Sequence, residues 1–190
     1  MAQMPKSVHR LQVIGRGNQR GFTLIDMLFV IALIGLLSSL AIPFLSRARG
    51  KAQSTAALGA LRVINSAQLS FALTCGLGFY APDLPALGTP PPNSTDSFLP
   101  AEMTRAATVI KSGYTFGLAA TPLGGAPASC NGVGAGQTAV GYVAVGDPLD
   151  PTLTPLYFGT NAEGVLYAHT ATLNGVMPES GPPPVGEPIK

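Results

Sequence analysis

A chain of 190 residues with 46% hydrophobic and only 11% charged residues departs from ordinary soluble domains, in which roughly a quarter of residues are charged. Its length allows one domain of usual size plus an anchoring segment, and 23 glycines with 18 prolines point to a domain rich in turns rather than a compact cytosolic enzyme. The formal charge of +2 is no argument for nucleic-acid binding: Lys6, Arg10, Arg16 and Arg20 all precede Gly21, and the seven remaining basic residues against nine acidic ones leave −2.

From the N-terminus, a basic stretch leads into the sequence GFTLIDML. No charge then occurs from Met27 to Ser46, about the twenty residues that a hydrocarbon core requires. One membrane span is expected. Asp26 stands at its start, where a carboxylate near the headgroups and a helix N-terminus is tolerated, although at the bilayer centre it costs about 2.5–3.5 kcal/mol. A secretory signal peptide cut near Ser39-Leu40-Ala41 is the alternative. Against it, Asp26 intrudes on the apolar region, Pro43 lies just past the cut, and the apolar run continues beyond it. Four basic residues precede the span, and Arg47, Arg49 and Lys51 follow it, which narrowly favours a cytoplasmic N-terminus.

The basic leader, GFTLIDML and the apolar helix resemble the processing and assembly signal of type IV pilins and type II secretion pseudopilins. The resemblance covers about the first fifth to quarter of the chain. It implies cleavage by a membrane-embedded prepilin peptidase after Gly21 and N-methylation of the new terminus, Phe22. Asp26 takes the fifth mature position, where the family usually has Glu, and keeps the charge with a shorter reach. Gly35 and Pro43 match helix-weakening positions of many type IV pilins; Pro removes a backbone hydrogen bond, and Gly lowers helix propensity by about 1 kcal/mol.

Between Leu45 and Leu73 the helix is expected to continue, with Ala57, Leu61, Ile64, Ala67 and Phe71 as an apolar stripe and Arg62, Asn65 and Gln68 as polar neighbours. Cys75-Gly76 marks its end, with Gly76 as the left-handed closing residue. Residues 76–100 carry GTPPPNST and read as a long surface connection; Asn93-Ser94-Thr95 matches a glycosylation tripeptide of low specificity. Four strands are expected, over Ser112–Ala120, Gln137–Val145, Pro155–Gly159 and Gly164–Thr170, with TNAEG as a hairpin connection. Short links favour an antiparallel sheet laid on the helix. The fold class is therefore α+β and pilin-like: leader 1–21, apolar helix 22–46, amphipathic continuation 47–75, globular domain 76–176 and a Pro-rich tail 177–190, expected to be extended or mobile.

Cys75 at the helix end and Cys130 in the Gly-rich loop between the first two strands are an even pair, suited to one disulfide in an oxidising compartment. Two buried free thiols are the alternative. No metal site is expected, since two distant cysteines and His169 do not supply zinc-like spacing, and His169 reads as a surface strand residue. Asp147 and Asp150 in GDPLDP offer too few oxygens for calcium, and Asp-Pro turns explain them more simply. Neither a nucleophile elbow nor a P-loop is present, and GVGAG after Cys130 lacks a following helix signal, so no enzyme, cofactor or catalytic residue is expected.

By resemblance, the chain is a structural subunit of a type IV pilus-like filament. Its expected partners are identical or related pilin subunits, the prepilin peptidase, the bacterial inner membrane and the pilus assembly machinery, with no specific nucleic acid. The precursor is placed in the inner membrane and the product in a periplasmic or cell-surface filament. A type II secretion pseudopilin is the near alternative, and a singly anchored extracytoplasmic binding protein that never polymerises is the distant one.

Overall fold

The computed structural model describes residues 21–189; the expected leader, apart from Gly21, lies outside that range. Helix α1 runs over Leu24–Thr74, and α2 over Leu84–Leu87. A 3-10 turn follows at Ala101–Met103, and then β1 (Thr108–Lys111), β2 (Tyr114–Ala119), β3 (Val143–Pro148), β4 (Tyr157–Asn161), β5 (Leu166–His169) and β6 (Glu187–Pro188). The six strands form one antiparallel sheet in sequential order. This is a pilin-like α+β architecture. The chain divides between Pro43 and Phe44 into two compact units.

Within the Phe44–Lys190 unit, α1 buries the expected stripe: Ala57, Leu61, Ile64, Ala67 and Phe71 lie in one core with Tyr114, Phe116 and Leu118 of β2, Ala144, Phe158 and Leu166. The spacing of three and four puts these helix positions on one face, while the period of two on β2 turns Tyr114, Phe116 and Leu118 the same way. Tyr114 and Phe158 stack at 5.7 Å across the sheet. Each large side chain so buried contributes about 1.5–3 kcal/mol. Asn65 fastens the helix to the sheet by donating to the Thr160 hydroxyl at 2.9 Å and accepting from the Tyr142 hydroxyl at 2.9 Å.

Gln68 is not a polar neighbour at the stripe's edge: it is 0% exposed. Its amide accepts from Ala81 N and donates to Ala81 O, both at 2.9 Å, so one side chain satisfies both backbone groups of a buried loop residue. Gln68→Ala leaves that donor and acceptor unpaired. The expected loss is about 2–4 kcal/mol, measured by denaturant unfolding of the full chain in detergent.

The helix end also differs from expectation. Gly76 donates to Phe71 O at 2.7 Å, but the left-handed residues are Leu77 and Gly78, at φ 52° and 93°. Gly76 is needed for space: a Cβ there would lie 2.2 Å from Phe79 O and 2.7 Å from the Phe71 ring. Residues 76–100 are likewise no mere surface connection. Asp83 caps α2 by accepting from Ala86 N at 2.9 Å, and Leu84, Leu87 and Leu99 are fully buried in the core.

The strands shift as well. Ser112-Gly113 is not the start of a strand but a two-residue hairpin turn between β1 and β2, with φ 50° and 80°, the primed geometry that suits strand twist. β3 begins at Val143, and of the preceding expected stretch only Ala139 makes a bridge, to Tyr80. It continues through Asp147-Pro148, which pair with Thr115 and Tyr114 rather than forming an Asp-Pro turn; proline is accepted there because a strand end needs fewer donors. β5 lies within its expected stretch, whereas β4 starts at Tyr157 and runs on through Thr160 and Asn161, which were expected in the hairpin connection but pair with Ala144 and Val143. Gly164 N donates to Asn161 O at 2.9 Å to close the shortened turn.

The Pro-rich tail is docked. β6 pairs with Tyr167 and Ala168, Ile189 N donates to Leu166 O at 2.8 Å, and the fully buried Asn161 donates to Pro178 O and Gly181 O at 3.1 and 2.7 Å. The tail is held by these backbone contacts together with Met177, which is buried, and Ile189, which packs on the core, so its low apolar content does not free it.

Candidate functional site

The first part of α1 has an exterior unlike that of any packed helix. Phe22 is 82% exposed and Leu24 84%, and every large hydrophobic from Phe22 to Leu45 is open. None of the apolar window is buried, and the helix is long and apolar enough to cross a membrane. So broad an uncovered apolar surface requires lipid or protein around it.

The helix start is organised by Thr23 and Asp26. Thr23 donates through both N–H and hydroxyl to Asp26 Oδ2, at 3.0 and 2.7 Å, and Asp26 N donates back to Thr23 Oγ1 at 3.3 Å. This is a reciprocal capping box, in which each residue satisfies an amide the helix leaves unpaired. Asp26 Oδ1 has no hydrogen-bond partner among the described residues. The T-x-x-D spacing ahead of an apolar run was the signal for it.

Gly21 and Gly35 have no packing explanation inside the chain: a Cβ at either would meet no described atom within 4 Å. Gly35 sits inside the helix at a cost of about 1 kcal/mol relative to Ala. The helix also runs through Pro43, whose missing N–H leaves the Ser39 carbonyl without its usual helical donor. Ser39 Oγ meanwhile donates to Leu36 O at 2.7 Å, an internal partner for a hydroxyl on an otherwise apolar surface.

Elsewhere Cys75 and Cys130 form a disulfide, reinforced by Cys130 N donating to Cys75 O at 3.0 Å. The two aspartates considered for calcium serve separately. Asp147 accepts from the Thr172 hydroxyl at 2.7 Å and keeps Oδ1 buried without a partner among the described residues. Asp150 accepts from Thr152 N and Oγ1 at 3.0 and 2.6 Å, and these bonds hold its carboxyl below the usual carboxylate range. His169 ends β5, half-buried. Among the described residues no three His, Cys, Asp or Glu side chains are grouped to hold a metal ion.

Residues 16–42 match the prokaryotic N-terminal methylation motif, the signature of type IV pilin and pseudopilin precursors. The match spans the end of the expected leader, Gly21, Phe22, Asp26, Gly35 and most of the uncovered stretch of the helix. It supports a type IV pilin-like or pseudopilin protein with a membrane-anchored precursor, the motif being one that marks structural proteins of that type. No curated protein and no solved structure matches the chain.

Proposed function

We propose that this chain is a structural subunit of a type IV pilus-like helical filament, cleaved by a prepilin peptidase after Gly21 and N-methylated at Phe22. The observation that carries the reading is the coincidence of the methylation motif with the first part of a helix, residues 24–45, whose large apolar side chains are all uncovered. Such a helix has two natural environments, a bilayer before assembly and the packed helices of neighbouring subunits after it. Head-to-tail contacts that do not close into a ring give an open filament.

In this proposal residues 1–21 are the removed leader, 22–46 the membrane and assembly helix, and 47–75 its amphipathic continuation. An exposed glycine with no packing role suits a peptidase that must approach the backbone closely. Cleavage creates a cationic amine four residues before Asp26, and the carboxylate pairs with that amine in its own or a neighbouring chain. Gly35 and Pro43 supply the weak points at which the helix can lengthen on entering the filament. The partners are related subunits, the peptidase, the inner membrane and the assembly machinery.

Intact-mass spectrometry of the mature protein tests the proposal. A chain beginning at methylated Phe22 is expected; a start at Met1 or Ile42 rules it out. Electron microscopy of sheared surface material, probed for this chain, separates a pilus subunit from a pseudopilin of a type II secretion system.

A further inference from the structure

Within the Phe44–Lys190 unit, directly after the apolar run in sequence, a cleft of about 770 Å³ opens between α1 and the loop joining β3 to β4. Its lining has two characters. Phe44, Leu153, Pro155 and Leu156 are apolar, whereas Arg47 and Lys51, four residues apart on one side of the helix, are cationic. Neither cation is in an ion pair among the described residues, where the sole pair joins Lys111 to Glu102.

The cleft is held open by fixed backbone. Gly50 is buried in the helix, and a Cβ on it would come within 2.5 Å of Leu153 O, so the loop rests directly on the helix backbone. The loop is pinned at both ends: Leu153 N and Thr154 N donate to Asp150 O at 3.2 and 3.0 Å, and the Tyr114 hydroxyl donates to Leu156 O at 2.9 Å. Arg49, which follows the same span, does not line the cleft.

Two unpaired cations beside an apolar wall, placed where a span ends, suit a molecule that joins an anion to a long hydrocarbon chain. We propose that the cleft of Phe44, Arg47, Lys51, Leu153 and Leu156 holds one anionic glycerophospholipid drawn from the bilayer surface. Its phosphate takes the planar guanidinium of Arg47 and the ammonium of Lys51, and an acyl chain covers Phe44, Leu153 and Leu156. The inference rests on the membrane-anchored reading of residues 22–46, because that reading brings lipid to this position.

Native mass spectrometry of the full chain in detergent, with phosphatidylglycerol or phosphatidylcholine added, tests it. Wild type is expected to retain phosphatidylglycerol at least tenfold better than phosphatidylcholine, and Arg47→Gln/Lys51→Gln to lose that preference while Arg49→Gln keeps it. Lys51→Glu alone is the second variant, expected to lower retention in the same way, with an unchanged circular dichroism spectrum marking an intact fold in each. Equal retention of both lipids by wild type overturns the inference. So does an equal loss in Arg49→Gln, which would mark diffuse surface charge, or displacement of the lipid by inorganic phosphate, which would mark a plain anion site. A dimer that the double variant abolishes, with lipid retention untouched, also overturns it, since the cleft would then take a second copy. Failure to co-sediment with vesicles of any composition defeats the membrane reading, whereas co-sedimentation without lipid preference defeats only the lipid site.

Discussion

Asp26→Ala is expected to leave cleavage after Gly21 intact and to lower assembled filament at least a hundredfold. Two effects of very different size are removed together. The capping box with Thr23 is worth about 1 kcal/mol, too little to abolish assembly. The larger effect is the amine at Phe22, which would enter a packed helical core without a counter-charge, at a cost of about 3–5 kcal/mol, and each 1.4 kcal/mol is tenfold in an equilibrium. Asp26→Asn separates the two, since its amide oxygen can still accept from Thr23 while the charge is gone. It should fail to assemble like Asp26→Ala, while Thr23→Ala, which weakens only the cap, should assemble at near wild-type levels. Filament yield per cell, with processing followed by intact mass, gives the measurement. Wild-type filament from Asp26→Ala would end the charge-pairing account, and from Asp26→Asn alone would reduce the residue to a cap.

Removing the disulfide is the second large effect. Cys75 and Cys130 are 55 residues apart in sequence, and closing a loop of that size stabilises by about 4 kcal/mol in the chain-entropy model. At about 2–4 °C per kcal/mol for a chain of this size, Cys75→Ser/Cys130→Ser should lower the midpoint of thermal unfolding by about 8–16 °C. The bridge also fastens a segment with little regular structure of its own. Beside it, Asn131 donates to Ala86 O and Thr89 O at 2.8 and 2.9 Å, and Ser129 N donates to Val133 O at 2.9 Å. The loop from Thr121 to Tyr142 should therefore exchange its amides faster in the variant while the β3–β4 ladder stays protected. Reduced wild type should behave as the double variant does; a shift under 2 °C in both would mean that these hydrogen bonds hold the loop without the bridge.

The sequence made the helix and its stripe readable because a period of 3.6 repeats over many residues, and the stripe positions Ala57, Leu61, Ile64, Ala67 and Phe71 all fall on the buried face. The two elements joined by the disulfide were likewise visible, as a helix end and a Gly-rich loop. Gln68 escaped because its partners, the two backbone groups of Ala81, lie thirteen residues away, and no local pattern announces such a bond. The tail escaped for a related reason: composition weighs side chains, and this tail docks through carbonyls to Asn161 and through β6 pairing. Strand limits moved in both directions: Ser112-Gly113 turn where a strand was expected, whereas Asp147-Pro148 and Thr160-Asn161 pair in the sheet where turns were expected. At the helix start, T-x-x-D is itself the capping-box spacing, and Asp26 bonds first to its own turn through Thr23.

The sheet's two outer strands bear on life at high local concentration. β6 is two residues long and ends in Pro188, and β1 spans four. A short border with a proline offers few free amides on which a second sheet could grow. Subunits crowded side by side in a bilayer or a fibre are under the conditions that favour cross-β aggregation, and here they meet with little strand border to template it. In the proposed filament, polymerisation is thereby left to the uncovered helix, and the globular portion can be packed densely without competing for the same partners.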